Sequence, residues 1–222
     1  MPDLNYTYIK AISFGALIIA VMIHEIAHGL IALACGDPTA RDAGRISLNP
    51  IRHIDPIGTI VLPLILAISG SGVMFGWAKP VPINLMRTRN PRQALWMTAI
   101  AGPLSNFLQA LLAVAAFYGI ASAANHNDAN PIIVYAIIAC GMFATINIIL
   151  MTFNLIPIPP LDGSRIMAAL LPEKLAISYM RLERFGFIII IVLLNLSVFD
   201  GLIKRTVNGF IILSGLPEIF QF

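Results

Sequence analysis

His24, Glu25 and His28 are the only groups able to carry charge in "AVMIHEIAHGLIAL", residues 20–33. On a helix, side chains four positions apart lie on one face a turn apart, so the two histidines can grip a single zinc ion. Glu25 stands beside that face. A zinc-bound water loses its proton near neutral pH, and an adjacent carboxylate can accept that proton as hydroxide attacks a carbonyl carbon. Burying three ionisable groups in so apolar a stretch is costly, and a metal ion with its water offsets that cost. Without a metal, the same trio would be a polar cluster pairing one helix with another.

A catalytic zinc takes three protein ligands and keeps one position open, so a further ligand must come from elsewhere. Asp162, in "NLIPIPPLDGSR" (Asn154 to Arg165), is the leading candidate, and His53 and Asp55 in "HIDPIGT" compete with it. Taken alone, Asp162 reads equally as the Asp of an Asp-Gly turn or as the cap of a short helix starting near Ser164. Cys35 is excluded as a partner of His28, because seven residues of helix separate them by about 10 Å.

These groups must be carried by membrane-spanning elements. With 58% hydrophobic and 11% charged residues, the 222-residue chain is too apolar for a soluble domain. Hydrocarbon about 30 Å thick needs roughly 20 apolar residues per helix. Residues 9–35, 93–120, 131–154 and 185–203 meet that requirement. The tail from 206 to 222 is shorter and only dips in. Residues 57–77 are apolar but interrupted by Pro63, Gly70, Gly72 and Gly76. The first 35 residues resemble a signal sequence in having Lys10 before an apolar run. Cleavage near Cys35 would discard the two histidines, so the segment is read as retained.

The net charge of +3 is small, and the Lys and Arg residues fall between apolar stretches rather than in a patch suited to nucleic acid. Residues 36–56, 78–92 and 155–184 carry all but Lys10, Lys204 and Arg205, the last two of which fit the charge rule poorly, whereas 121–130 carry none. The positive-inside rule therefore puts the first three loops in the cytoplasm and the last outside. Residues 57–77, flanked by two cytoplasmic loops, are expected to enter the membrane and turn back as a broken helix, the alternative being an ordinary spanning helix that violates the charge rule. On this topology His24, His28 and Asp162 lie at one level near the cytoplasmic side. Residues 173–184 read as a helix lying on the surface. Cys35 and Cys140, both within apolar stretches, imply no disulfide framework.

HEIAH in one membrane helix and NLIPIPPLDG in a later one, with "AGPLSN" (Ala101 to Asn106) between them, resemble the site-2 protease family of intramembrane zinc metalloproteases. The match covers about residues 9–170. The resemblance implies that His24, His28 and Asp162 bind one zinc ion per chain and that Glu25 is the catalytic base. It also points to Asn106 and Asn154 as polar groups that steady an oxyanion or the substrate backbone, or else bond one helix to another. The expected fold is all-α, a polytopic helical membrane protein forming one integral-membrane domain over 1–222.

The implied substrate is a membrane protein whose transmembrane helix must unwind locally before an amide can be attacked. "GRISLNP" and "KPVPINL", with alternating apolar residues, are candidates for a small β-sheet beside the metal that accepts the substrate as an added strand. Gly102-Pro103 is expected to break or bend the helix from 93 to 120. The chain departs from much of the family in having no PDZ-type or nucleotide-sensing (CBS) domain. That departure leaves substrate selection unexplained, with a separate regulatory protein as one candidate source of it. The cell membrane is the expected location. Three other readings compete. A prenyl-protein protease would need a glutamate ligand, and Glu173, Glu183 and Glu218 lie outside the clear spans. A zinc transporter would carry paired repeats or several intramembrane acids, which are not seen. A non-catalytic protein that holds membrane clients would bind metal without cleaving.

Overall fold

The structure is a computed structural model that describes residues 6–61, 65, 68, 78–124 and 130–221. Its described residues are helical or irregular and contain no strand. The eight α-helices among them are α1 (Tyr6–Ala34), α2 (Thr39–Asp42), α3 (Pro91–Ala123), α4 (Pro131–Asn154), α5 (Asp162–Leu170), α6 (Glu173–Met180), α7 (Glu183–Asn195) and α8 (Asp200–Ser214). Helices α1, α3 and α4, of 29, 33 and 24 residues, are long and apolar enough to cross a membrane. At 1.5 Å per residue each spans about 36 Å or more. The chain is an integral membrane protein.

Local chemistry sets where these helices start. Asn90 and Asn130 each precede a proline, and each side-chain oxygen accepts a backbone N–H in the turn that follows, from Gln93 and Ile132 respectively. The asparagine satisfies a donor left orphaned by the helix start, and the proline removes another at no cost. Helix α3 continues through Pro103. The expected break there does not occur. Pro103 is fully buried, and a proline inside a membrane helix is compatible with its continuation.

Helix α3 is the hub, packing against α1, α4 and α5. Small residues line these contacts: Ala16, Ala20 and Ala32 on α1, Ala99, Ala101, Ala110 and Ala113 on α3, and Ala144 on α4 are all buried. Lipid tails are as apolar as leucine, so membrane helices associate by close approach of small residues rather than by hydrophobic exclusion. Large apolar side chains such as Phe14, Leu112 and Ile132 point outward, as a lipid-facing surface requires.

The fourth apolar stretch departs from expectation. Residues 185–203 are not one straight span: α7 ends at Asn195 and α8 starts at Asp200, bent 76° from it. The turn between them places Ser197 at φ 52°, a left-handed conformation that a continuing helix cannot contain. The tail folds back onto the bundle. Phe220 is buried, its ring edge-on to Phe117 and lying against Gly141 of α4, where a Cβ would stand 2.3 Å from the ring. The expected surface helix over 173–184 is shorter, ending at Met180.

The expected small sheet is also absent. "GRISLNP" forms turns leading into a 3-10 helix at Pro50–His53. "KPVPINL" is irregular up to a 3-10 turn at Leu85–Arg87. Prolines at 80 and 82 have no amide to give a ladder. The neighbouring amides are spent otherwise: Lys79 N donates to His53 O, Val81 N to Glu25 Oε2 and Asn84 N to Asp37 Oδ2. Arg45 donates to the carbonyl of Lys79. Residues 79–84 thus form a strap tied by side chains to the C-terminal half of α1 and the loop after it. Pro56–Val61 forms a π-helical turn capped by Asp55. The re-entrant path expected for 57–77 otherwise lies outside the described residues, apart from positions 65 and 68.

Candidate metal centre

Helix α1 brings His24 and His28 onto one face, both buried, with their Nε2 atoms 3.0 Å apart. Asp162, the first residue of α5, places Oδ2 3.2 Å from each of them. It is the first residue of the helix, not a cap outside a helix that starts near Ser164. Among the described residues this trio is the one group of three His, Cys, Asp or Glu side chains able to share an ion.

The elements around Asp162 fix it in place. Residues 155–161 link α4 to α5 in tight turns, and Gly163 lies so close to Leu155 that a Cβ would stand 2.2 Å from its carbonyl oxygen. On the far side, Gly186 of α7 presses against the Pro159 carbonyl with the same closeness. Arg92 donates to the carbonyls of Ala169 and Leu171, satisfying the C-terminal end of α5 from the start of α3.

The imidazoles are held from behind. His28 Nδ1 is 2.6 Å from the Thr98 carbonyl, and His24 Nδ1 is 2.5 Å from Asn106 Oδ1. A neutral imidazole that donates from Nδ1 has a bare Nε2. Two bare nitrogens and a carboxylate oxygen therefore converge. Asp162 Oδ2 is buried and receives no hydrogen bond. Unshared lone pairs facing one another in a dry site repel unless a cation lies among them. Ligand bonds of about 2.0–2.1 Å in a tetrahedral zinc site put donor atoms about 3.3 Å apart. The spacings here need only a few tenths of an ångström of adjustment. The residues present fit the metal.

Glu25 is half-buried, and its Oε2 accepts the Val81 amide at 3.0 Å. It borders a cavity of about 330 Å³ together with His24, His28, Asp162, Asn154 and the strap. Gly102 of α3 forms the opposite wall of the histidine pair: a Cβ there would stand 2.4 Å from His28 Nε2 and 2.5 Å from His24 Nε2.

The remaining sequence candidates separate cleanly. Asn154 lines the cavity, with its Nδ2 bonded to the Leu150 carbonyl. Asn106 is fully buried, and both polar ends of its amide are taken, by His24 and by Asn147. The helix-to-helix alternative is the geometry it adopts. His53 bonds the Ser47 carbonyl and Asp55 caps the Pro56–Val61 turn, so neither competes as a ligand. Sequence reasoning missed Asn147, the Thr98 carbonyl and the Val81 amide. Only Asn147 carried a signal, as an amide side chain inside an apolar helix.

A buried His-His-Asp trio with a glutamate beside it, its two histidines on a membrane helix, defines the class of membrane-embedded metallopeptidases. The sequence model of "Peptidase family M50" matches residues 119–196, which include the Asn154–Asp162 segment. The chain is similar to "Putative zinc metalloprotease YwhC" of Bacillus subtilis, 37% identical over 182 residues that make up 80% of this chain and 77% of that protein. It is also similar to "Putative zinc metalloprotease Rip2" of Mycolicibacterium smegmatis, 25% identical over 97% of this chain and 78% of that one. A protein of the same name from Mycobacterium tuberculosis is 25% identical over 98% and 80%. No solved structure gives a match. The chain belongs to peptidase family M50, the site-2 proteases, and is a metalloprotease.

Proposed function

We propose that this single membrane domain is an intramembrane zinc metalloprotease in which His24, His28 and Asp162 hold one zinc ion and Glu25 is the general base. The observation that carries the reading is Asp162 Oδ2, buried without a hydrogen bond and 3.2 Å from both imidazole nitrogens. When bound, zinc supplies a Lewis acid that acidifies water towards neutral pH and polarises a carbonyl.

The chain's own groups supply the rest. Glu25, tethered through Oε2 to the Val81 amide, is held beside the site to take a proton from water and return it to the leaving amine. Asn154 at the cavity wall is within the reach of a bound peptide and steadies its backbone. The substrate is a membrane protein whose transmembrane helix unwinds locally to lie in the cavity, since a helical amide is closed into its own hydrogen bond. His24 and His28 lie about 15 and 9 Å from the end of α1, so water needs only a short polar path from that end. The Arg-rich loops at this level support a cytoplasmic-facing site in the cell membrane.

The test is cleavage of a transmembrane substrate in detergent or vesicles, with zinc measured in parallel. Glu25→Gln is expected to lose cleavage and keep zinc, because it removes the proton acceptor and no ligand. Cleavage by Glu25→Gln at the wild-type rate overturns the assignment.

A further inference from the structure

One line of hydrogen bonds joins all three spanning helices behind the metal centre, and it has a direction. Asn147 of α4 donates from Nδ2 to the Phe143 carbonyl one turn earlier, at 2.9 Å. That bond leaves the Asn147 carbonyl oxygen facing α3, where Asn106 Nδ2 donates to it at 2.8 Å. Asn106 is then left with its own oxygen facing α1, 2.5 Å from His24 Nδ1. An amide oxygen only accepts, so His24 must carry its proton on Nδ1 and leave Nε2 bare.

The opposite order fails at each step. Turning Asn106 over would face its oxygen with the Asn147 oxygen, and turning Asn147 over as well would face an oxygen with the Phe143 carbonyl. Both asparagines are fully buried, so no solvent is at hand to relieve either clash. The polarity of the whole line is thus set by a peptide carbonyl of α4, which the helix itself fixes. His28 needs no such device. Its Nδ1 meets the Thr98 carbonyl directly, and a backbone carbonyl has no amide to turn.

We infer that Asn147, whose hydrogen bonds go to Asn106 and the Phe143 carbonyl, acts with Asn106 as a positioning pair that fixes the tautomer of His24 and keeps Nε2 open to the metal. This rests on the reading of His24 as a zinc ligand. Outer partners of a ligating histidine typically change metal affinity by about 10–100-fold when removed.

The experiment measures zinc affinity of the purified full chain by chelator competition, with helix content followed by circular dichroism. Asn147→Leu and Asn106→Leu are each expected to weaken zinc binding about 10–100-fold. Asn106→Asp is expected to hold zinc, because a carboxylate accepts from Nδ1, although its second oxygen then faces the Asn147 oxygen, which Asn147→Leu removes. In that background Asn147→Leu should cost nothing further, which a purely structural role of Asn147 would not produce. Should Asn147→Leu fail to fold, ¹⁵N spectra of histidine-labelled, chelator-stripped wild type read the tautomer directly: a proton on His24 Nδ1 is expected, and a proton on Nε2 overturns the inference. Wild-type zinc affinity in Asn147→Leu, alongside loss in His24→Ala, overturns the relay alone. Wild-type affinity in His24→Ala overturns the ligand reading beneath it.

Discussion

Replacing Gly102 with alanine adds one methyl group and should empty the metal centre. The new Cβ would stand 2.4 Å from His28 Nε2 and 2.5 Å from both Cε1 and Nε2 of His24. Carbon and its neighbours reach their best contact at about 3.5–4.0 Å, so both rings must withdraw by about 1 Å. Zinc bonds tolerate deviations of only about 0.2 Å, so neither nitrogen can then ligate together with Asp162. Zinc affinity is expected to fall at least about 100-fold, which is about 2.7 kcal/mol, and cleavage with it. The fold should survive, since alanine is a better helix former than glycine by up to about 1 kcal/mol and the rings can swing aside when no ion holds them. Gly119 lies on the same helix with open space where a Cβ would go, so Gly119→Ala is the control and should bind zinc like wild type. The assay is chelator competition on both variants, with melting temperature in excess chelator. If Gly102→Ala retains wild-type zinc affinity, the two imidazoles do not face the ion from this side and the reasoning is wrong.

The strap gives a second prediction. Val81→Pro removes the amide that Glu25 Oε2 accepts, and a hydrogen bond to a charged group is worth about 1.5–3 kcal/mol, so kcat should fall roughly 10–100-fold with zinc content unchanged. An unchanged kcat refutes a positioning role for that amide. Asp37 is expected to give the strap a pH dependence. Burial pushes its carboxyl up, but the Thr39 hydroxyl, the Asn84 and Thr39 amides and the Arg87 charge outweigh burial and hold it below the ordinary value of 3.8. Its contribution to stability is therefore present above about pH 4 and is lost as pH falls through the lowered folded value. The melting-temperature gap between wild type and Asp37→Asn should shrink on acidification below pH 4, and a gap that widens there contradicts the assignment. Gly141→Ala should lift Phe220 off α4 and expose the tail to proteolysis, because the added Cβ would stand 2.3 Å from the ring. Unchanged protease resistance would place the ring elsewhere.

What could be read from the sequence was whatever a single element carries by itself. His24 and His28 were legible because four residues make about one turn, and Asp162 because its motif and the charge of its loop put it at the same depth. The three long spans were legible from apolar length alone. Relations between elements were not. Asn147 acts across 41 positions on Asn106, and Asn106 across 82 on His24, separations at which no sequence period operates. The acceptor for His28 is a peptide carbonyl, which every residue has and which no residue type announces. Gly102-Pro103 drew attention for the proline, whereas the glycine is the member that touches the histidines. The alternation in "KPVPINL" suggested a strand, but Pro80 and Pro82 remove the donors a ladder would use and leave Val81 N–H for Glu25. The bend after Asn195 was hidden in an apolar run whose composition is that of a straight span.

The proposed metal centre is a single zinc ion shared between α1 and the start of α5. Metal analysis of the purified wild-type and Asp162→Ala proteins, dialysed side by side, tests it most directly. One zinc per wild-type chain and much less in Asp162→Ala is the expected result; a full zinc complement in Asp162→Ala, or none in the wild type, would contradict it.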